Sequence, residues 1–129
     1  MTPAGHASRA ILATGGLLLA AATVLGALGA HALPARLSPE RLQVYDTAVR
    51  YHFYHALGLL AIGLAARDLG SALLRWSAGL IVAGIVFFSG SLYALSCGAP
   101  RPIGAITPVG GVLLIAGWLA FALGVLRAG

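Results

Sequence analysis

From Ala10 to Leu33 the chain carries no Asp, Glu, Lys or Arg, and the same holds from Trp76 to Cys97 and from Ile106 to Leu126. An α-helix needs roughly 20 predominantly apolar residues to cross the hydrocarbon core of a bilayer. Lipid offers no water to backbone polar groups, so runs of this kind bond within themselves as helices. A further run, between Arg50 and Arg67, holds only 16 residues, two of them His. It reaches spanning length only by borrowing the segment before it, in "SPERLQVYDTAVRYHFYHALG". Ser38 there can cap a helix, Pro39 suits the first turn, and Glu40 favours the positive end of the helix dipole. Asp46 and Arg50 stand four apart with the acid first, the better order for a helical pair. The pattern predicts a helix that starts near Pro39, lies at the interface and turns inward near Tyr51. Arg50 would then snorkel, with Tyr51 and Tyr54 at headgroup level.

The expectation is an all-α membrane protein: an antiparallel bundle of four transmembrane helices with an interfacial helical segment before the second span. The spans are placed at about residues 10–33, 48–66, 75–97 and 106–126, in one integral membrane domain over 1–129. Composition agrees. Hydrophobic residues make up 60% of the chain, against eight Arg, no Lys and three acids, too little charge to cover a soluble domain. The bilayer is the first partner. The arginines are dispersed rather than clustered, which excludes the footprint of a nucleic-acid binder. A lone Cys97 excludes an intrachain disulfide and any CxxC motif. Arg9, the first apolar run and Ala30-His31-Ala32 have the outline of a signal peptide, but the run exceeds the usual h-region of about 7–15 residues, so the first span is expected to be retained. Four arginines fall on each side of the membrane (Arg9, Arg67, Arg75, Arg127 against Arg36, Arg41, Arg50, Arg101). The N-terminal amine tips this near-tie toward cytoplasmic termini under the positive-inside rule.

Helices in lipid associate through small residues that let backbones approach. Gly110, Gly117 and Gly124 recur at sevens on the fourth span, and Gly15, Ala22 and Gly29 do so on the first, with Gly26 alongside. These are the predicted packing seams, internal or between two copies. His31 lies two residues past Gly29, about 200° round an ideal helix, off the seam unless the glycines end the helix first.

Antiparallel connectivity brings the end of span one, the start of two, the end of three and the start of four to one membrane face. His31, Tyr51, His55, Ser91, Tyr93 and Thr107 gather there, and they form the candidate polar site. His55 would lie about 6 Å below Tyr51 at the helical rise. A titratable group at that depth turns inward and pairs, and Gly58 one turn on would let another helix come close. His31 is the partner the topology suggests. The plain reading is a neutral His that fastens two helices. His52 and His55, three apart, could reach one ion but do not close a metal site, so no metal ligands and no cofactor are assigned. "TPVGG" reads as a helix start with Thr107 as cap and Pro108 first, and no Lys follows the glycines as a phosphate loop requires. No Ser-His-acid set is visible, and catalytic residues are assigned to none.

"GALGAH", "YHFYHALGLL", "FSGSLYAL" and "ITPVGGVLLIAGW" occur in this order along the chain. Together they resemble the YgdD-like family of small bacterial inner-membrane proteins with mitochondrial relatives, a domain of unknown function. The resemblance covers nearly the whole chain. It implies four membrane spans and an inner-membrane location, and it supplies no activity. His31, His55, Ser91, Tyr93, Thr107, Pro108 and Gly111 match family positions, whereas His52 departs from a family Gln. Three readings follow: a non-enzymatic accessory or self-associating membrane protein, as a homo-oligomer or within a larger membrane complex; a small-molecule or proton-binding transport protein using the His31/His55 end; and a metal- or haem-binding redox protein.

Overall fold

The computed structural model describes residues 2–129. Four helices account for nearly all of them: α1 (Pro3–His31), α2 (Pro39–Leu69), α3 (Ala72–Ser96) and α4 (Ile106–Arg127), with short 3₁₀ turns at Leu33–Ala35 and Arg101–Ala105. The ends follow local chemistry. The Thr2 hydroxyl accepts from the Gly5 N–H (3.0 Å) and the Ser38 hydroxyl from the Arg41 N–H (3.3 Å), each ahead of a proline in the first turn. Gly70 closes α2 in the left-handed region (φ 62°), where a side chain would be strained.

Of two sequence expectations about helix starts, one needs correction. A helix does begin at Pro39 and run on past Tyr51, as the pattern predicts. Nothing from Glu40 to Leu57 breaks a helix, so Pro39–Leu69 is one rod, about 46 Å long at the helical rise. Its first turns pack into the bundle, with Tyr45 and Ala48 buried. By contrast, α4 starts at Ile106 with no side-chain cap, not at a Thr107 cap. Pro108 falls within the first turn, where its missing N–H costs no intrahelical bond. The Thr107 hydroxyl is thereby released for another helix.

By length and composition α1, α3 and the stretch Arg101–Arg127 are apolar enough to cross a membrane. α2 is not among them, because its polar residues dilute the run. Its charged residues are exposed near the two ends, while His52 and His55 lie inward. The buried positions of α2 (Tyr45, Ala48, His52, His55, Ala56, Leu59, Ile62, Gly63, Ala66) recur at threes and fours along one stripe, as a helix with neighbours on one side requires.

Helices pack in chain order: α1 on α2, α2 on α3, α3 on α4. α1 touches α3 only lightly, as α2 does α4, and α1 and α4 do not meet. The bundle is therefore an open row with α2 and α3 at its centre, where Leu59, Ile62, Ala78, Ile81, Ile85 and Leu114 form the core. The outward faces are apolar; Leu17, Leu64, Val86, Val112 and Leu119 are all exposed. This is a helical membrane protein. Water could not solvate such a surface without aggregation.

The glycines set the contacts. On α1, Ser8, Gly15 and Ala22 are buried at intervals of seven, the spacing of a left-handed seam, and Gly29 continues it. A Cβ at Gly15 would lie 2.9 Å from Leu60 and one at Gly29 2.7 Å from the Tyr45 ring; Gly26 is looser, at 3.5 Å from Val49. On α4, a Cβ at Gly110 would run into the Phe88 backbone, one at Gly117 would lie 2.8 Å from Ile81, and one at Gly124 3.1 Å from Leu73. Gly58 admits the Trp118 indole. Both stripes face the neighbouring helix of the same chain.

Candidate functional site

Each pair of neighbouring helices is fastened at least twice among the described residues, mostly by a hydroxyl that donates to a carbonyl across the joint. Between α1 and α2, Ser8 donates to Gly63 O (2.7 Å) and Tyr45 to Leu25 O (2.5 Å). Between α3 and α4, Ser77 donates to Gly117 O (2.7 Å), and Ser91 meets Thr107 at 2.6 Å. The single Ser91 proton goes to Phe88 O (2.9 Å), so Thr107 is the donor of that pair. Between α2 and α3, Ser89 donates to Ala48 O (2.8 Å), and His52 Nδ1 lies 2.9 Å from the Tyr93 hydroxyl.

The contacts of Tyr45, Ser89, His52 and Ser91 lie toward the end of the bundle where the α1–α2 and α3–α4 connections run. Tyr45 stands edge-on to Tyr93 (centroids 5.4 Å apart), and Tyr93 edge-on to His52 (6.0 Å). His52 is 4% exposed, and its Nε2 is buried without a hydrogen-bond partner of good geometry; the Leu18 main chain is the polar group that faces it. A buried ring nitrogen left so is costly in a low-dielectric interior.

The candidate residues divide into groups. Ser91 and Thr107 meet each other. Tyr93 meets His52, a residue outside the candidate set. His55 turns to its own helix: Nδ1–H donates to Tyr51 O at 2.6 Å, and the ring lies between Tyr51, stacked at 5.9 Å, and Trp118 at 6.1 Å. Tyr51 packs against Phe88 (4.8 Å). His31 joins none of them. Helix α1 continues through the glycines to His31, so the ring falls on the side away from Gly29 and its Tyr45 contact. It is exposed and makes no hydrogen bond to a described residue. The pairing of His31 with His55 that the topology suggests is not made: His31 is exposed, and His55 bonds to its own helix.

His52, Tyr45 and Ser89 stand outside the candidate set read from the sequence. A signal existed for two of them, since Tyr45 and His52 stand seven apart on the buried stripe of α2. Among the described residues no three His, Cys, Asp or Glu side chains converge as a metal centre would need. His52 and His55 have their Nδ1 atoms committed to different helices' groups. The arrangement can fasten helices and hold one neutral imidazole at a three-helix junction.

The family model described as a protein of unknown function, DUF423, matches residues 25–111. A UPF0382 membrane protein of Staphylococcus saprophyticus is 50% identical over 102 residues, 79% of this chain and 84% of its own. The UPF0382 membrane protein YwdK of Bacillus subtilis is 49% identical over 96 residues (74% and 78%). One of Haemophilus influenzae is 45% identical over 101 residues (78% and 80%). No solved structure matches the chain.

Proposed function

Because the chain belongs to the DUF423 family of membrane proteins, whose function is unknown, we propose that it is a non-enzymatic integral membrane protein that works by association, as an accessory subunit or a self-assembling unit. One observation carries this reading: the hydroxyls of Ser8, Ser77, Ser89, Ser91 and Thr107 are all engaged between helices of the chain itself. A catalyst or carrier keeps its polar groups convergent on open space. The reading includes four antiparallel spans in one domain over 1–129, seated in a bacterial inner membrane with both termini cytoplasmic. α2 can serve as the second span because its two histidines are buried, His52 against Tyr93 of α3 and His55 against Trp118 of α4, and its outward face offers Leu57 and Leu64 to lipid.

Two measurements test it. In a Cys97→Ser background, single cysteines at Ala35 and Gly104 label from one side of the membrane and one at Ser71 from the other; Ala35 and Ser71 on the same side would remove α2 as a span. Light scattering of the protein in mild detergent should find more than one chain per particle or a stoichiometric partner. A bare monomer that retains no partner would sink the associative role. A second reading, proton or small-ligand binding, is favoured by the unpartnered His52 Nε2. It places the site at His52 and Tyr93, not at His31 and His55.

A further inference from the structure

Because α1 and α3 both rest on α2 and scarcely touch each other, a valley runs between them. Its volume of about 510 Å³ falls in the usual range of ligand sites, about 300–1,000 Å³. Leu59 forms the floor, Ile11 and Thr14 one wall, Gly79 and Ala83 the other, and Arg75 the mouth. The walls are chemically apolar. The one hydroxyl, on Thr14, already donates to Ala10 O (2.8 Å). The space is real at its narrowest side chain, since a Cβ added to Gly79 would meet nothing within 4 Å.

The mouth is charged. Arg75 is exposed and has no ion pair or hydrogen bond with a described residue. Trp76 beside it is 70% exposed, and an exposed Trp at a helix end marks the headgroup level of a bilayer. From Arg75 to Ala83 the groove descends about 12 Å along α3 at the helical rise. An unpaired guanidinium at headgroup level above an apolar slot matches the two halves of one lipid.

We propose that this valley binds one anionic phospholipid, with the phosphate on Arg75 and an acyl chain laid between α1 and α3 over Leu59. Guanidinium donors suit phosphate oxygens in paired geometry, and the net charge of +5 favours an anionic over a zwitterionic headgroup. The site is independent of whether the protein self-associates.

Native mass spectrometry from detergent tests it, with dioleoyl phosphatidylglycerol against dioleoyl phosphatidylcholine as probes. The wild type should retain one phosphatidylglycerol in preference. Arg75→Gln should weaken that retention about five-fold, the loss of one cation near an anionic headgroup. Gly79→Leu should abolish it by filling the slot, without disturbing packing. Gly90→Leu is the matched control: its added side chain also starts in open space, outside the valley, and retention should stay at the wild-type level. No headgroup preference, undiminished retention in either valley variant, or equal loss in Gly90→Leu would overturn the assignment. So would disulfide-linked dimers of Cys97→Ser/Gly79→Cys in native membranes, because a second copy would then cover the groove.

Discussion

Gly110 and Gly111 are adjacent on α4 and should respond to the same substitution with opposite signs. A Cβ at Gly110 meets the Phe88 N and Cα and the Phe87 carbonyl carbon, all main chain, whereas one at Gly111 has only the Phe88 ring at 3.9 Å. Main chain inside a helix cannot swing aside as a side chain can, so Gly110→Ala must push α4 off α3. Overpacking of this kind costs about 1–3 kcal/mol, and the rigid obstacle places it at the upper end. The displaced joint also strains the Thr107–Ser91 bond one turn away (2.6 Å), which is worth about 0.6 kcal/mol on average in membranes. Against this, Ala in place of Gly in a helix interior gains roughly 0.5–1 kcal/mol. The balance is a net loss of about 2–3 kcal/mol for Gly110→Ala and a gain of about 0.5–1 kcal/mol for Gly111→Ala, by the same terms. Thermal unfolding in one detergent, followed by far-UV circular dichroism, measures both. If Gly110→Ala is as stable as Gly111→Ala, the α3–α4 seam does not rest on backbone contact and the reasoning fails.

Tyr93→Phe removes one bond but strands the second nitrogen of buried His52, so it should cost about 1–3 kcal/mol; adding His52→Leu should recover part of that loss, and an additive double-mutant cycle would show the pair uncoupled. His52→Gln, which keeps a polar group toward Tyr93, should be milder than His52→Leu in the same unfolding assay. His31→Leu and His31→Asn should both stay within about 0.5 kcal/mol of wild type, because the exposed ring has no partner; a loss above that in either would restore a structural role. Ser77→Ala should cost no more than about 0.6–1.7 kcal/mol, since the Gly117 carbonyl it leaves keeps its place in the α4 ladder, and a larger loss would point to a cavity the hydroxyl fills.

The sequence alone determined the medium, the helical class and the seams. Those properties follow from local rules: uncharged runs of spanning length must bond internally in lipid, and glycines seven apart must share a helix face. The shared faces of Gly15 with Gly29 and of Gly110 with Gly117 follow for that reason, whereas the bond between Ser91 and Thr107 does not, since the sequence reads Thr107 as a helix cap. Tertiary structure decided which polar groups pair. His31 and His55 arrive at the same end, yet the rotation of α1 fixed by Gly29 against Tyr45 turns His31 outward, and the nearest acceptor for His55 is its own helix. His52, whose departure from the family Gln argues only against a two-histidine metal site, is the buried junction of three helices because α2 lies between α1 and α3 in an open row. That order, and the valley it leaves beside Arg75, is invisible to periodicity, which gives the face of each helix but not the neighbour that covers it.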